Sequence, residues 1–262
     1  MNRSSLLHLW LLVALMLAGC AAPTTQKTSA ASAPKVPDLT LQVASLNMSG
    51  FNKRFEKREI EQFAKLLKRE KIDILSVQGI TRYPRLENRV DFVNELVSKT
   101  DMRYTFGEMY NSSGREDGNG IFSLFPQRNT HNDSFDGVKS ADFEAALQSS
   151  VDGGVKDIVV VSTVLPPKAP EADQSACLGI IAQKSVAQSN QPMIVTGNLP
   201  ASEKIRAKDS YDDVEVLLKN AEDKSLRTRI WYSNDGSLKL MDTRTVDSEF
   251  GPMLVAQFGL FR

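Results

Sequence analysis

Pro192-Met-Ile-Val-Thr-Gly-Asn-Leu-Pro200 is the stretch whose reading decides the fold. Met193, Ile194 and Val195 form a short apolar run that stops at Gly197, with a polar residue and a proline directly after. Such a run reads as a buried strand ending where the backbone turns sharply. A polar side chain at the mouth of a sheet is a usual place for chemistry. Here that residue is Asn198, an amide with no useful basicity, where a carboxylate is the expected chemical group.

Working outward, Asp157–Leu165 is the most strand-like run in the chain, ended by Pro166-Pro167. Residues 171–188 between the two strands read as a helix. Upstream, Leu39–Leu46 alternates as a strand ending at Asn47, residues 54–70 carry Phe55, Ile60, Phe63, Ala64 and Leu67 at helical spacing, and Ile72–Gln78 is a second strand interrupted by Gly79. A strand, a crossover helix and a strand of this length place two neighbours in one sheet. Residues 88–99 read as a second amphipathic helix, 103–108 and 120–125 as strands, and 111–118 as a turn-rich loop. The weaker region 130–152 reads as a strand and a helix around Phe143, Ala146 and Leu147. A helix is expected at 212–220, with closing strands near 227–232, 238–242 and 253–261. This mixture predicts an α/β fold, a two-sheet sandwich with outer helices, over a doubly wound sheet.

The N-terminus reads differently. Arg3 supplies a positive start, Leu6–Leu17 is almost wholly apolar, and Leu17-Ala18-Gly19-Cys20 closes it. This resembles a bacterial lipoprotein signal with its lipobox, and the resemblance implies cleavage before Cys20 and lipid on that residue. Residues 1–19 are then the signal peptide, 20–36 a flexible Ala/Ser/Thr/Pro/Gln-rich tether, and 37–262 the folded domain. The implied location is the cell envelope. Ala21, rather than Asp, after the cysteine points to the outer membrane in a Gram-negative cell. Membrane contact is through lipid on Cys20. Lys+Arg 32 balances Asp+Glu 32, which leaves no nucleic-acid footprint in the total charge. Cys177, the one cysteine of the domain, reads as a buried structural thiol.

The order of motifs across 39–261 resembles the endonuclease/exonuclease/phosphatase family, the fold of DNase I-like nucleases, sphingomyelinases and inositol-phosphate phosphatases. In that family the first strand ends in Asn, and Ser45-Leu46-Asn47 matches; the second ends in Gln-Glu, where Gln78-Gly79 stands. Gly118-Asn-Gly-Ile-Phe-Ser-Leu-Phe-Pro126 matches a further strand. Thr163-Val164-Leu165 stands for Thr-His-Leu, Gly197-Asn198 for Gly-Asp, Arg229-Ile230-Trp231-Tyr232 for Arg-Ile-Asp-Tyr, and Ser248-Glu249-Phe250 for Ser-Asp-His.

What the resemblance implies for chemistry is loss. The family's Glu after Gln is the main carboxylate on Mg²⁺, and Gly79 offers no side chain. Its Asp positions and deprotonates water, which Asn198 cannot do near neutral pH. Its two histidines are replaced by Val164 and Phe250. Apart from His8 in the signal, His131 is the one histidine of the chain, read as lying in a polar loop far from both positions. No catalytic residue is assigned; Asn47, Gly79, Val164, Asn198 and Phe250 are the degenerate family positions. The expected function is a lipid-anchored pseudoenzyme that binds an envelope protein or a phosphate-containing ligand, without a cofactor. Its cleft would be edged by Asn47, Gln78, Asn198, Trp231, Tyr232 and Phe250. Trp231 and Phe250 could equally be core fillers, Asn47 and Asn198 turn caps, and the protein a structural envelope lipoprotein. The rival reading is a Mg²⁺-dependent phosphodiesterase or phosphatase with relocated ligands, for which Asp117, Asp133 and Asp136 are the loop carboxylates at hand.

Overall fold

A strand–helix–strand unit occurs twice and seeds each of two sheets. The first runs from β1 (Leu39–Asn47) through α1 (Lys57–Arg69) to β2 (Ile74–Arg82). The second runs from β7 (Asp157–Val164) through α3 (Glu171–Val186) to β8 (Met193–Asn198). Each strand pair is parallel, with Asn47 opposite Gln78 and Val164 opposite Asn198. All other pairings are antiparallel. The remaining elements are α2 (Phe92–Lys99), β3 (Arg103–Ser112), β4 (Arg115–Ser123), β5 (Gln127–Ser134), a 3₁₀ turn at Lys139–Ala141, β6 (Ala145–Asp152), β9 (Tyr211–Glu215), β10 (Thr228–Ser233), β11 (Leu238–Ser248) and β12 (Gly251–Leu260). The sheet orders are β11-β12-β1-β2-β4-β3 and β5-β6-β7-β8-β10-β9. These statements come from a computed structural model that describes residues 35–49, 54–83, 89–141, 144–165, 168–186, 191–199, 211–215, 228–233 and 236–262.

Local sequence explains the helices. Helix α1 begins at a capping box between Glu56 and Glu59 and buries Ile60, Phe63, Ala64 and Leu67 on one stripe. Asp91 caps α2 by accepting from Asn94 N–H at 2.9 Å, so this helix starts later than apolar spacing alone suggests. Both cover the outer face of the first sheet, against Leu46, Leu75, Val77, Phe122 and Val255. Helix α3 covers the outer face of the second, where Cys177, Leu178 and Ile181 meet Val161 and Val195. Cys177 is buried, and desolvation there pushes its thiol up to about 11. The inner faces meet through Leu41, Val43, Ile74, Val160, Ile194, Ile230 and Phe258. Residues Pro37–Arg262 form one compact unit, and none of the described helices is long and apolar enough to cross a membrane.

Four sequence expectations are corrected. The 111–118 loop is a two-residue turn, Ser113-Gly114, between β3 and β4, because Gly114 and Ser113 supply the positive φ values such a turn needs. No helix forms around Ala146 and Leu147; they lie on β6, where Leu147 faces the apolar layer and Ala146 the opposite cluster with period two. Phe143 lies outside the described residues. Where a helix was expected at 212–220, Tyr211–Glu215 is an edge strand on β10, its pairing outweighing local propensity; the rest of that span lies outside the described residues. Strand β2 runs through Gly79 to Arg82 across a register shift between Val77 and Ile80.

Candidate functional site

The two parallel pairs end at the same side of the sandwich, and their ends are built alike. Met48 N–H donates to the Gln78 carbonyl at 2.8 Å, and Leu165 N–H to the Asn198 carbonyl at 3.0 Å. The inward positions just before these ends are polar: Ser45, Ser76, Gln78, Ser162 and Thr196, each with no solvent exposure. Gln78 bridges the sheets. Its amide nitrogen donates to Ser76 Oγ at 2.7 Å and to Ser162 Oγ at 3.1 Å, while Ser45 Oγ donates to its oxygen at 3.3 Å. Thr196 Oγ1 lies 2.7 Å from the Val161 carbonyl and 2.6 Å from Ser76 Oγ. A carbonyl only accepts, so the single Thr196 proton goes to Val161, and Ser76 supplies the proton between the two hydroxyls. The network therefore runs one way, Ser45 to Gln78 to Ser76 to Thr196 to Val161, with a branch to Ser162. Asn119 seals its flank, accepting from Gly79 N–H at 3.2 Å and donating to the carbonyl of Ala145 at 3.1 Å.

Two glycines hold this arrangement together. Gly197, at φ +135, lies so close to Thr163 that a Cβ would collide with its carbonyl, and the same Cβ would stand 3.3 Å from Gln78 Cγ. Gly79, at φ +67, is covered by the loop after β1: a Cβ there would meet Ser49 Oγ and lie 2.7 Å from Ser49 Cα. Asn47 fixes that loop by accepting from Ser49 N–H at 2.9 Å, an Asx turn. The space that a side chain at position 79 would need is filled by the chain's own backbone.

The structure thus brings together Asn47, Gln78, Gly79, Val164 and Asn198. Val164 and Asn198 are nearly fully buried. Phe250 directly precedes β12, whose Met253 pairs with Leu46 near the end of β1, but its ring turns to the helix side of the first sheet, 5.2 Å from the Phe63 ring and 5.3 Å from that of Phe92. As an apolar group it follows the aromatic cluster and not the polar mouth. The cleft edge drawn through Trp231 and Tyr232 is likewise corrected. Strand β10 runs antiparallel to β8, with Thr228 opposite Asn198 and Tyr232 opposite Ile194, so its start and not its end reaches the mouth. Trp231 packs under α3, and Tyr232 contacts Phe258 at 5.0 Å in the apolar layer. Sequence reasoning missed Ser45, Ser76, Asn119, Ser162, Thr196 and Thr228. The signal was present: in Ile158-Val160-Ser162 and Ile194-Thr196 a polar residue replaces an apolar one on the inward face.

The relocated carboxylates do not converge. Asp117 and Asp133 lie on strands and not in loops. Asp117 pairs with Arg115 at 2.8 Å and accepts from Thr81 at 2.5 Å. Asp133 accepts from Gln148 at 2.9 Å, and Asp136 is exposed in the turn after β5. His131 sits on β5, not in a loop, and is exposed. Glu116 stands 3.8 Å from Arg82. Among the described residues no three of His, Cys, Asp and Glu form a group able to hold a metal. The Mg²⁺ that the family's chemistry implies does not fit the residues at this mouth. The mouth's buried Ser45, Ser76, Gln78, Ser162 and Thr196 are amides and hydroxyls engaged with one another, and Ser49 occupies the place of a ligand at 79.

No family model and no curated protein sequence matches the chain. Solved structures match its fold. An endonuclease/exonuclease/phosphatase from Beutenbergia cavernae DSM 12333 aligns with TM-score 0.63 and 15% identity, covering 85% of this chain and 72% of that one. One from Bacteroides vulgatus aligns with TM-score 0.63 and 9% identity, covering 85% and 99%. D. rerio TDP2, complexed with single strand DNA product, aligns with TM-score 0.63 and 12% identity, covering 84% and 99%. The chain therefore has the DNase I-like α/β sandwich fold.

Proposed function

We propose that this chain is a degenerate endonuclease/exonuclease/phosphatase that does not hydrolyse phosphoric esters. It acts as a lipid-anchored binding or structural module of the cell envelope. One observation carries the first part: the mouth where the two parallel pairs end holds Asn47, Gln78, Gly79, Val164 and Asn198, none able to take a proton from water near neutral pH. The loop packed on Gly79 argues that the loss extends beyond one substitution. The anchor rests on Leu17-Ala18-Gly19-Cys20. A binding partner would be an envelope protein or a phosphate-containing ligand, met around Asn47 and Asn198.

The test is the mature lipoprotein in detergent, titrated with Mg²⁺ and Mn²⁺ against phosphodiester and phosphomonoester panels. No metal-dependent turnover is expected, and Gly79→Glu restores none because Ser49 blocks the site. Turnover that is abolished by Asp117→Asn or Asp133→Asn overturns the reading in favour of relocated ligands. For the anchor, the purified chain carries acyl mass at Cys20, and Cys20→Ser abolishes it.

A further inference from the structure

The outer surface of the sandwich is unequal at its two ends. The end opposite the mouth is where β1, β2, β3 and β11 begin and β4 and β12 finish. The large apolar side chains left exposed among the described residues are Val36, Tyr104, Tyr110, Leu124 and Met241. Tyr104, Leu124 and Met241 belong to this end of the domain. Leu124, 46% exposed, follows β4, and its N–H donates to Asp73 just before β2. Tyr104 is the second residue of β3. Met241, 51% exposed, bulges out of β11, and its sulfur and the Pro37 ring both lie about 3 Å from where a Gly259 Cβ would stand. Val36, 81% exposed, directly precedes the domain. Leu124 also edges a groove of about 390 Å³ with an apolar floor of Leu67, Ile72 and Met102. Lys68 and Lys71, both exposed, stand on its rim. Its carboxylates are Asp101 and Asp73, and Asp73 accepts from Gln42 N–H at 2.8 Å.

We infer that this end is a bilayer-docking surface. Leu124, Met241 and Tyr104 enter the headgroup boundary, and Lys68 and Lys71 meet anionic lipid. The inference rests on the lipid-anchor reading. It commits to a membrane because the stretch from Cys20 joins the domain at Pro37, beside the apolar side chains, and because apolar residues flanked by lysines suit an anionic interface. A single tether leaves a domain free to tumble; a second, weaker contact at the tether's root fixes its orientation. The mouth, at the far end of nine-residue β1, then faces away from the membrane, roughly 30 Å from it at the rise of a strand.

The experiment uses the full mature lipoprotein in vesicles of phosphatidylethanolamine and phosphatidylglycerol. Cys177 is buried and Cys20 is acylated on the lipid-anchor reading, so a thiol introduced by Leu124→Cys or Ser112→Cys takes a fluorophore selectively. Spin-labelled lipid is expected to quench the label at 124 severalfold more than the one at 112, at the mouth end. Lys68→Glu with Lys71→Glu, or vesicles of phosphatidylcholine alone, should reduce that difference. Equal quenching at both sites, with the chain still floating on the vesicles, overturns the docking surface and leaves the anchor intact. Failure to float at all overturns both.

Discussion

The layer between the two sheets has two halves of opposite character on one continuous set of strands. In the half nearer the start of β1, the inward side chains packed together are Leu41, Val43, Ile74, Val160, Ile194 and Phe258. One step along each strand the same face carries Ser45, Ser76, Ser162 and Thr196, tied across the gap by Gln78. The first half holds by exclusion of water, which is non-directional and tolerant of exchange among shapes. The second holds by hydrogen bonds whose direction is fixed atom by atom, and an unmade bond there costs more than a made one contributes. A polar layer at the open ends of parallel strands looks from sequence like binding chemistry. Here Ser45, Ser76, Gln78, Ser162 and Thr196 hydrogen-bond to one another across the layer.

The largest effect should come from breaking the apolar half. Phe258 is fully buried and touches Tyr232. Phe258→Ala is expected to lower unfolding free energy by about 3–5 kcal/mol through lost burial and a residual cavity. Urea denaturation measures it; a loss below about 1 kcal/mol would mean that the two sheets do not depend on this layer.

Next in size is a pH effect, which the hydrogen-bonded half should not produce, since its members are neutral. Glu144, just before β6, is half-buried, its Oε2 is inaccessible and makes no hydrogen bond, and desolvation raises its carboxyl to about 7. A carboxyl raised from 4.5 on folding binds its proton more tightly in the native state. The native state is therefore favoured most below pH 4.5, and that advantage is lost as pH rises to about 7. A gap of this size corresponds to on the order of 3 kcal/mol between the ends of that window. Glu144→Gln should flatten the slope of stability against pH there; an unchanged slope would assign it to other groups.

The difference between the halves also explains what the sequence disclosed. Strands with β-branched runs, such as Asp157–Val164, and an amphipathic stripe such as that of α1 are written in local periodicity, and the two-sheet sandwich follows from their order. The end of β8 was legible too, because Gly197 punctuates it, whereas β2 continues through Gly79 to Arg82. Direction was not. Which way β10 runs against β8 decides whether Thr228 or Tyr232 meets Asn198, and pairing between distant segments fixes it. Phe250 was misplaced for a similar reason. Its position along the chain belongs to the mouth, while its ring belongs to the cluster of Phe55, Phe63 and Phe92, which no local pattern announces.

Smaller changes probe the polar half. Gln78→Leu keeps volume and removes the bridge, leaving Ser45 and Ser162 short of partners in a dry layer. About 1–3 kcal/mol is expected, less than for Phe258→Ala although more hydrogen bonds are lost, because each net bond is modest. Thr196→Val is smaller again. It removes one donor to the Val161 carbonyl and the acceptor of Ser76, but Ser76 keeps Gln78 as a donor and can turn its own proton elsewhere. About 1 kcal/mol is the expected loss in the same denaturation series. The decisive comparison is the double variant. If Gln78 and Thr196 belong to one network, the two losses together fall short of their sum, since each change already frees Ser76 from its arrangement. Strict additivity would mean that the bonds are independent contacts and that the mouth is held by no concerted network.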